Sequence, residues 1–153
     1  MKIGIIVAMD KEYELLQGIQ LPQHELFLVK SGIGKVNAAM AAINLINEYQ
    51  PDLVINSGVA GGIDTCLQVA DLVIGAQTCY HDFYAGEVSD HLKELGFEQF
   101  IEANPKALQT AQKVANGRED VKFGLGCTGD QFITTKEELF QIKNKFPQAL
   151  FVD

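Results

Sequence analysis

A continuous apolar run close to the N-terminus constrains the fold of this chain more than any other feature. Residues 2–8 read KIGIIVA, an apolar segment rich in β-branched side chains and without polar alternation. Such a run is typical of a strand in a parallel sheet that is covered on both faces. The acidic segment AMDKE follows at residues 8–12, where the first strand of an open α/β sheet usually meets its ligand. Because anion sites are built from glycines, helix N–H groups and cations, Asp10 and Glu12 predict a ligand that is not an anion.

Predicted strands and helices alternate along the rest of the chain. Strands are predicted over 2–8, 25–32, 52–62, 71–82, 121–129 and 148–153, and helices over 11–17, 35–49, 105–116 and 134–146. This alternation predicts an α/β fold, a three-layer α/β/α arrangement with a mixed, mostly parallel central sheet. The length of 153 residues favours one domain over 1–153. The last strand pattern has no covering helix after it, so we expect an incomplete fold and a longer parent protein.

Composition excludes several classes of function. The net charge of −8 and the pI of about 4.8 leave no basic face for a nucleic-acid backbone. No apolar stretch has the length of a membrane span, so neither nucleic acid nor membrane is an expected partner. Three widely spaced cysteines predict reduced thiols and a cytoplasmic protein. His24, His81 and His91 lack the paired spacing of metal ligands, so no metal site is expected.

Two glycine-rich segments resemble cofactor motifs without meeting their requirements. GLGCTG (124–129) matches G-x-G-x-x-G, but the next helix cap is at Thr134 or Thr135, after the intervening residues DQFI. A dinucleotide site needs the helix to begin at the last glycines, so no such cofactor is expected. SGIGKV (31–36) lacks the first glycine of a P-loop and has Val36 where Mg²⁺ requires Ser or Thr.

Some residues have a structural and a functional interpretation. Phe132 is interpreted first as a core aromatic residue and second as a stacking platform between the glycines and a helix cap. His81 beside Asp82 could orient a proton donor, although a structural role is favoured. The glycine-rich turn GVAGG (58–62) offers a flat ligand close approach to the backbone. The helix predicted over 35–49 has apolar residues at helical spacing on one face: Val36, Ala39, Met40, Ile43 and Ile46.

A set of segments taken together identifies a family. The chain contains, in this order, MKIGIIVAMDKE, SGIGKVNAA, PDLVINSGVAGG, DLVIGAQTCYHD, TGDQF and FPQALFVD. In this combination it resembles the 5′-methylthioadenosine/S-adenosylhomocysteine nucleosidases of the purine nucleoside phosphorylase superfamily. The resemblance implies a phosphorylase-like fold and hydrolysis of the N-glycosidic bond of a small nucleoside, which releases adenine and a thioribose in methionine salvage. It also implies that no cofactor is used and that the protein is a cytoplasmic homodimer.

The resemblance assigns roles to individual positions. Glu12 is implied to be the catalytic carboxylate that activates water. The residues implied to contact the substrate are Ala8, Met9 and Ile33 beside the ribose and alkylthio group, Val59, Ala60 and Gly61 under the purine and sugar, Phe132 and Ile133 at the base, and Val152 and Asp153 next to the residues that hold the ribose hydroxyls. Protonation of the leaving adenine at N7 and addition of water steered by Glu12 would complete the reaction.

Charge favours hydrolysis independently of the resemblance. Phosphorylases of this superfamily bind phosphate with an arginine near the first turn, but the only arginine here is Arg118, in a different region. Glu12 would instead repel phosphate and orient water. Two alternatives stay open. One is a related hydrolase or phosphorylase acting on futalosine or a purine nucleoside, which phosphate dependence would identify. The other is a non-catalytic nucleoside-binding domain, which ligands would stabilise without turnover.

The sequence departs from the family pattern in three places. No residues match the Met-Glu and Arg-to-Ser-Asp segments, which carry the ribose-binding Glu and the general-acid Asp, so the chain is expected to be nearly inactive. The stretch between Glu12 and Ser31 is shorter than usual, which predicts a missing strand or hairpin. Residues 83–100 do not match the family loop that reaches the neighbouring subunit, and no role is assigned there.

Overall fold

The computed structural model describes residues 1–83, 96 and 98–153. Most of the segment 83–100 therefore lies outside the described residues. The elements are β1 (Lys2–Val7), α1 (Asp10–Leu16), β2 (Glu25–Lys30), α2 (Lys35–Tyr49), β3 (Leu53–Asn56), β4 (Gly61–Gly62), β5 (Leu72–Tyr80), β6 (Ile101–Glu102), α3 (Pro105–Val114), β7 (Val121–Thr128), α4 (Lys136–Lys145) and β8 (Ala149–Val152). Contacts divide the chain into two compact units, Met1–Val59 and Ala60–Asp153.

The first unit is a three-stranded parallel sheet with the order β2-β1-β3. The predicted N-terminal strand is confirmed as the central one. Its residues Ile6 and Val7 are buried, with 6% and 0% of their surface exposed. Ala41 and Leu45 of α2 pack with Ile6 in a small core. The sheet therefore places the carboxyl ends of all three strands at one edge, as the apolar pattern of β1 predicts.

Helix α2 has the predicted bounds, but the apolar face identified from the sequence is not the buried one. Most of its predicted apolar face is exposed: Val36, Met40, Ile43 and Ile46 have 50–70% of their surface accessible, and Ala39 is exposed as well. The buried side is instead formed by Ala41 and Leu45. The residues identified by their periodicity do share one face of the helix. The helix also has a second apolar face, formed by Ala41 and Leu45, and this second face packs against β1 and β2.

The second unit contains a five-stranded mixed sheet with the order β4-β8-β7-β5-β6. Strands β5, β7 and β8 are parallel, whereas β4 and β6 pair antiparallel with β8 and β5 at the edges. Its core contains Cys79, Leu125, Cys127, Ile142, Phe146, Ala149 and Val152. Gly126 lies against β8, where a Cβ atom would come within 2.3 Å of the Phe151 ring. The G-x-G pattern of this strand therefore serves close packing between strands, and no helix follows its glycines until Lys136.

The α/β class with mostly parallel strand pairing is confirmed. Among the described residues the pairing forms two sheets, one in each unit. The predicted glycine-rich turn at 58–62 contains the short strand β4, because Gly61 and Gly62 pair with β8. The two-residue strand β6 was not predicted, since its sequence offers no run long enough to show a pattern. No helix in the described part of the chain combines the length and the apolar character that a bilayer span requires.

Candidate functional site

The loops that follow the three strands of the first unit meet at the carboxyl edge of its sheet. The N–H of Ser31, after β2, donates to the carbonyl of Val7 at 2.8 Å, and the N–H of Ser57, after β3, donates to the carbonyl of Ile6 at 2.9 Å. Because parallel strands end at one edge, the turn after β1 lies next to both loops. This is the position at which α/β folds bind ligands.

Glu12 is the buried carboxylate of this edge, with 6% of its surface exposed. It is the third residue of α1, from which a glutamate side chain reaches back to the N–H groups that begin the helix. Its Oε2 accepts hydrogen bonds from the N–H groups of Ala8 at 3.0 Å and Met9 at 2.9 Å. Its Oε1 accepts one from the N–H of Val59 at 2.9 Å. Three backbone donors therefore hold a buried carboxylate in one orientation.

Gly58 makes room for this carboxylate. A Cβ atom at position 58 would lie 2.6 Å from Oε1 of Glu12, closer than any real Cβ contact. The absence of a side chain allows the backbone after β3 to approach the carboxylate and donate the Val59 N–H. The sequence interpretation placed GVAGG under a flat ligand but missed this role, for which the only sequence signal is the glycine itself.

Asp10, the other carboxylate of the acidic segment, has a different partner. It forms an ion pair with Lys30 at the end of β2, and both side chains are largely exposed, at 76% and 46%. Exposed pairs of this kind contribute little free energy. Asp10 thus has a cation beside it, whereas the described partners of Glu12 are neutral N–H groups.

The remaining predicted residues of the first unit provide apolar surface. Ala8 and Met9 are half-buried, and Ile33 and Val59 are exposed, at 69% and 66%. Ile33 follows β2, and Val59 follows β3. Apolar side chains around a few fixed polar groups are the usual lining of a small-molecule site.

A cavity of this unit lies at the other edge of the sheet. It has a volume of about 570 Å³ and is lined by residues at the amino ends of the strands, including Lys2, His24 and Asp52. It is wide open and mostly polar, and ligands of α/β folds rarely bind at this edge. We therefore place the candidate site around Glu12 rather than in this opening.

In the second unit, predicted site residues lie along β4 and β8. Gly61 pairs with Val152, and the N–H of Asp153 donates to the carbonyl of Cys127 at 2.9 Å. Ala60, Gly61 and Asp153 are exposed, but the side chain of Val152 belongs to the core, with 5% of its surface accessible. Any contact of Val152 with a ligand would therefore come from its backbone.

Phe132 lies in the loop between β7 and α4. The interpretation of this residue as a core aromatic is wrong, because 85% of its surface is exposed. Its neighbour Ile133 packs against the core instead and anchors the loop. An exposed aromatic ring on an anchored loop is available for stacking.

Two carboxylates hold the ends of this loop. Oδ2 of Asp82 accepts a hydrogen bond from the N–H of Asp130 at 2.7 Å. Oε2 of Glu138 accepts from the N–H groups of Thr134 at 3.0 Å and Thr135 at 2.9 Å.

Of the two predicted capping boxes, the structure has the one between Thr135 and Glu138. The N–H donors of Thr134 and Thr135 hold the pKa of Glu138 below its usual range. The role of Asp82 was not predicted, because only the fold brings it next to residue 130.

The described residues offer no obvious place for a metal ion. No group of three or more His, Cys, Asp or Glu side chains in residues 1–83, 96 and 98–153 is arranged to bind one. The Sγ atoms of Cys79 and Cys127 lie 3.5 Å apart. Both thiols are buried, and burial raises the pKa of Cys79 and brings that of Cys127 to about 12. These are the properties of inert core cysteines rather than of metal ligands or nucleophiles.

Comparison with known proteins identifies a superfamily and several similar nucleosidases. The family model described as the phosphorylase superfamily matches residues 17–152. The 5′-methylthioadenosine/S-adenosylhomocysteine nucleosidase of Buchnera aphidicola subsp. Acyrthosiphon pisum (strain Tuc7) is 34% identical over 179 residues, covering 100% of this chain and 74% of that protein. That of Actinobacillus succinogenes is 37% identical over 173 residues, covering 100% and 75%.

Solved structures of nucleosidases superpose on this chain. The nucleosidase of S. pneumoniae with the transition-state inhibitor MT-ImmA superposes with a TM-score of 0.87 at 30% identity, over 100% of this chain and 75% of that one. The Neisseria meningitidis nucleosidase in complex with methylthio-immucillin-A gives a TM-score of 0.86 at 29% identity, over 99% and 74%. The chain thus spans about three quarters of the length of these relatives. It belongs to the phosphorylase superfamily and, within it, to the family of 5′-methylthioadenosine/S-adenosylhomocysteine nucleosidases.

Proposed function

We propose that this protein is an N-glycosyl hydrolase that cleaves 5′-methylthioadenosine or S-adenosylhomocysteine to adenine and a thioribose, a reaction of methionine salvage. The observation that carries the proposal is the Glu12 carboxylate, which is buried at the carboxyl edge of a parallel sheet and fixed by three backbone N–H groups. The family relatives named above carry the name of this activity.

Glu12 is proposed to orient the attacking water. A carboxylate has about four acceptor positions on its two oxygens. Among the described residues, Oε2 receives two N–H donors and Oε1 receives one. We infer that Oε1 accepts the proton of the water, because it has an acceptor position left. A fixed negative charge at this place also disfavours inorganic phosphate as the attacking group.

The apolar residues of the first unit are proposed to contact the sugar and its alkylthio substituent. Ala8 and Met9 form the turn whose N–H groups donate to Glu12. Ile33 and Val59 have exposed apolar side chains. Burying such surface against a thioether stabilises the complex by the hydrophobic effect. Neutral surface of this kind suits an uncharged nucleoside.

Residues of the second unit are proposed to bind the base and the sugar through different atoms. Phe132 has an exposed ring for stacking on adenine, and the backbone of Ile133 would read the edge of the base. Ala60 and Gly61 offer backbone with little side-chain cover. Val152 and Asp153 are proposed to support the ribose contacts, Val152 through its main chain.

The test uses the 153-residue chain with 5′-methylthioadenosine in buffers with and without phosphate. We expect the nucleoside and adenine to raise the melting temperature, since only the folded chain binds them. We expect any adenine release to be independent of phosphate, because Glu12 would direct water rather than phosphate to the sugar. Product formation that requires phosphate, or no stabilisation by either ligand, would contradict the proposal.

Variants of two glutamates on α1 make this test specific. Glu12→Gln keeps the size of the side chain but removes the base, and we expect any adenine release to fall by about 10²-fold or more. Glu14 is exposed on the same helix, so Glu14→Gln is the matched control and should match the wild-type chain. Equal rates for the two variants would exclude Glu12 as the base.

We also propose that the protein is a cytoplasmic homodimer. The support for the dimer is the exposed apolar face of α2, which contains Val36, Met40, Ile43 and Ile46 and which a second copy would cover. Sedimentation should give twice the chain mass for the wild type, and Met40→Glu with Ile43→Glu should give the monomer. A monomeric wild type would contradict the dimer. The free cysteines among the described residues favour a reducing compartment, which fractionation of the source cells would test.

A further inference from the structure

The loop from Gly129 to Thr135 carries the two residues that the proposed function assigns to the base. It connects β7 to α4 and contains no regular secondary structure, while Phe132 within it is 85% exposed. A stacking platform binds well only if it is held in place before the ligand arrives, because ordering it during binding costs affinity. The contacts and hydrogen bonds that hold this loop in the second unit are therefore important for base binding.

A cavity lies beside the loop. It has a volume of about 190 Å³ and is lined by the loop residues Gln131 and Ile133, by residues of α4 and by His81; the α4 residues are Glu138, Gln141, Ile142 and Lys145. Ile133 is the only predicted base-binding residue here that packs against the core. Apolar contacts alone thus fix one point of the loop and leave its orientation to other interactions.

Glu138 supplies those interactions through one oxygen atom. Its Oε2 accepts hydrogen bonds from the N–H groups of Thr134 at 3.0 Å and Thr135 at 2.9 Å and from the hydroxyl of Thr135 at 2.9 Å. The Thr135 hydroxyl in turn accepts from the N–H of Glu138 at 3.2 Å. A capping box consists only of the reciprocal bonds between the N-cap residue Thr135 and the third helical residue Glu138. The additional bond to Thr134 extends the restraint to the residue directly after Ile133.

We propose that Glu138 is a positioning residue for base recognition, which holds the Phe132–Ile133 segment ready for a flat aromatic base without touching the base itself. Asp82 restrains the other end of the same loop by accepting from the Asp130 N–H. The two carboxylates thus flank the proposed platform on both sides. The identity of the ligand in this inference rests on the proposed function, whereas the restraint of the loop does not.

The first experiment measures adenine affinity by calorimetry. We expect Glu138→Ala to weaken adenine binding by about tenfold, because the released loop must then be ordered during binding. Glu138→Gln should restore most of the affinity, because a glutamine at this position also closes a capping box. Glu137→Ala is the matched control, since Glu137 is the neighbouring acid in the same first turn, and it should bind like the wild type.

The second experiment reads the loop without a ligand. The sequence contains no tryptophan, so Phe132→Trp places a single fluorophore at the tip of the loop. We expect its anisotropy to fall when Glu138→Ala is added and to stay unchanged when Glu137→Ala is added, at a temperature where circular dichroism shows all three folded.

The outcomes separate the inference from the proposed function. If the wild type does not bind adenine, the proposed function fails, and the anisotropy alone decides whether Glu138 orders the loop. If the wild type binds and Glu138→Ala binds equally well, the positioning role is wrong. Unchanged anisotropy in the Glu138→Ala background overturns the inference whatever the calorimetry gives.

Discussion

The backbone N–H of Val59 donates a hydrogen bond to Oε1 of Glu12 at 2.9 Å, across a separation of 47 residues. Glu12 lies in the first turn of α1 and Val59 follows β3, so this bond connects the turn after the first strand to the loop after the third. The other oxygen of Glu12 is occupied by Ala8 and Met9. The carboxylate is therefore both a helix cap and a tertiary link, and its removal should affect stability as well as chemistry.

Glu12→Gln should lower the free energy of unfolding by about 2 kcal/mol. The amide nitrogen of glutamine donates rather than accepts, so at least one of the three buried N–H groups loses its acceptor. Urea denaturation followed by circular dichroism measures the change. Glu14→Gln, exposed on the same helix, should stay within about 0.5 kcal/mol of the wild type, and a similar loss in both variants would argue against this role of Glu12.

Gly58→Ala should destabilise the first unit by about 2 kcal/mol, because its Cβ would lie 2.6 Å from Oε1 of Glu12 and force that side chain away from Val59. A double-mutant cycle with Glu12→Ala checks the cause. In the Glu12→Ala background the new methyl group meets no carboxylate, so the cost of Gly58→Ala should fall by at least about 1 kcal/mol. Additive costs would show that the strain arises elsewhere.

Thiol reactivity should distinguish the three cysteines. Cys66 is exposed, whereas Cys79 and Cys127 are buried. Burial raises the pKa of both core thiols, and the hydrogen bond with Asp64 raises the pKa of Cys66 as well, so access rather than pKa distinguishes the thiols. Because the reagent must reach the sulfur, Ellman's reagent should titrate one thiol in the native chain and all three in denaturant. Cys66→Ser should abolish the native reaction. Rapid native modification of the core pair would contradict the packing described here.

Asp64 should make stability depend on pH in the acid range. Oδ2 of Asp64 accepts a hydrogen bond from Lys143 Nζ at 2.5 Å, which holds the pKa of this carboxyl well below its usual range, and the Cys66 N–H lowers it further. Because the folded pKa is lower than the unfolded one, the contribution is complete above about pH 4 and is lost as the pH falls through the folded value.

Two variants test the assignment to this ion pair. Urea midpoints of the wild type and Asp64→Asn should differ at pH 6 and converge toward pH 2. Lys143→Met should reduce the pH dependence, because Lys143 is its largest cause. A constant difference between wild type and Asp64→Asn over this range would contradict the ionic origin.

Much of the local structure follows from residues that are neighbours in the sequence. The uninterrupted apolar run predicted β1 as a central strand, and apolar spacing together with Pro51 predicted α2 with the bounds that the structure has. Pro105 begins α3, as its position in the sequence indicated, and Asn104 is the N-cap. In each case the interactions that determine the element lie within a few residues of one another. Sequence patterns predict structure over this range.

Only the tertiary structure decided which apolar face of α2 is buried and that the ring of Phe132 is exposed. It also decided that Gly58 must be a glycine because of a carboxylate far away in the sequence, and that Asp82 restrains residue 130. The sequence by itself determined the class of fold, the family and the negative charge after the first strand. Which groups face each other depends on strand register and on close packing between distant segments. Neither of these produces a periodic pattern in the amino-acid sequence.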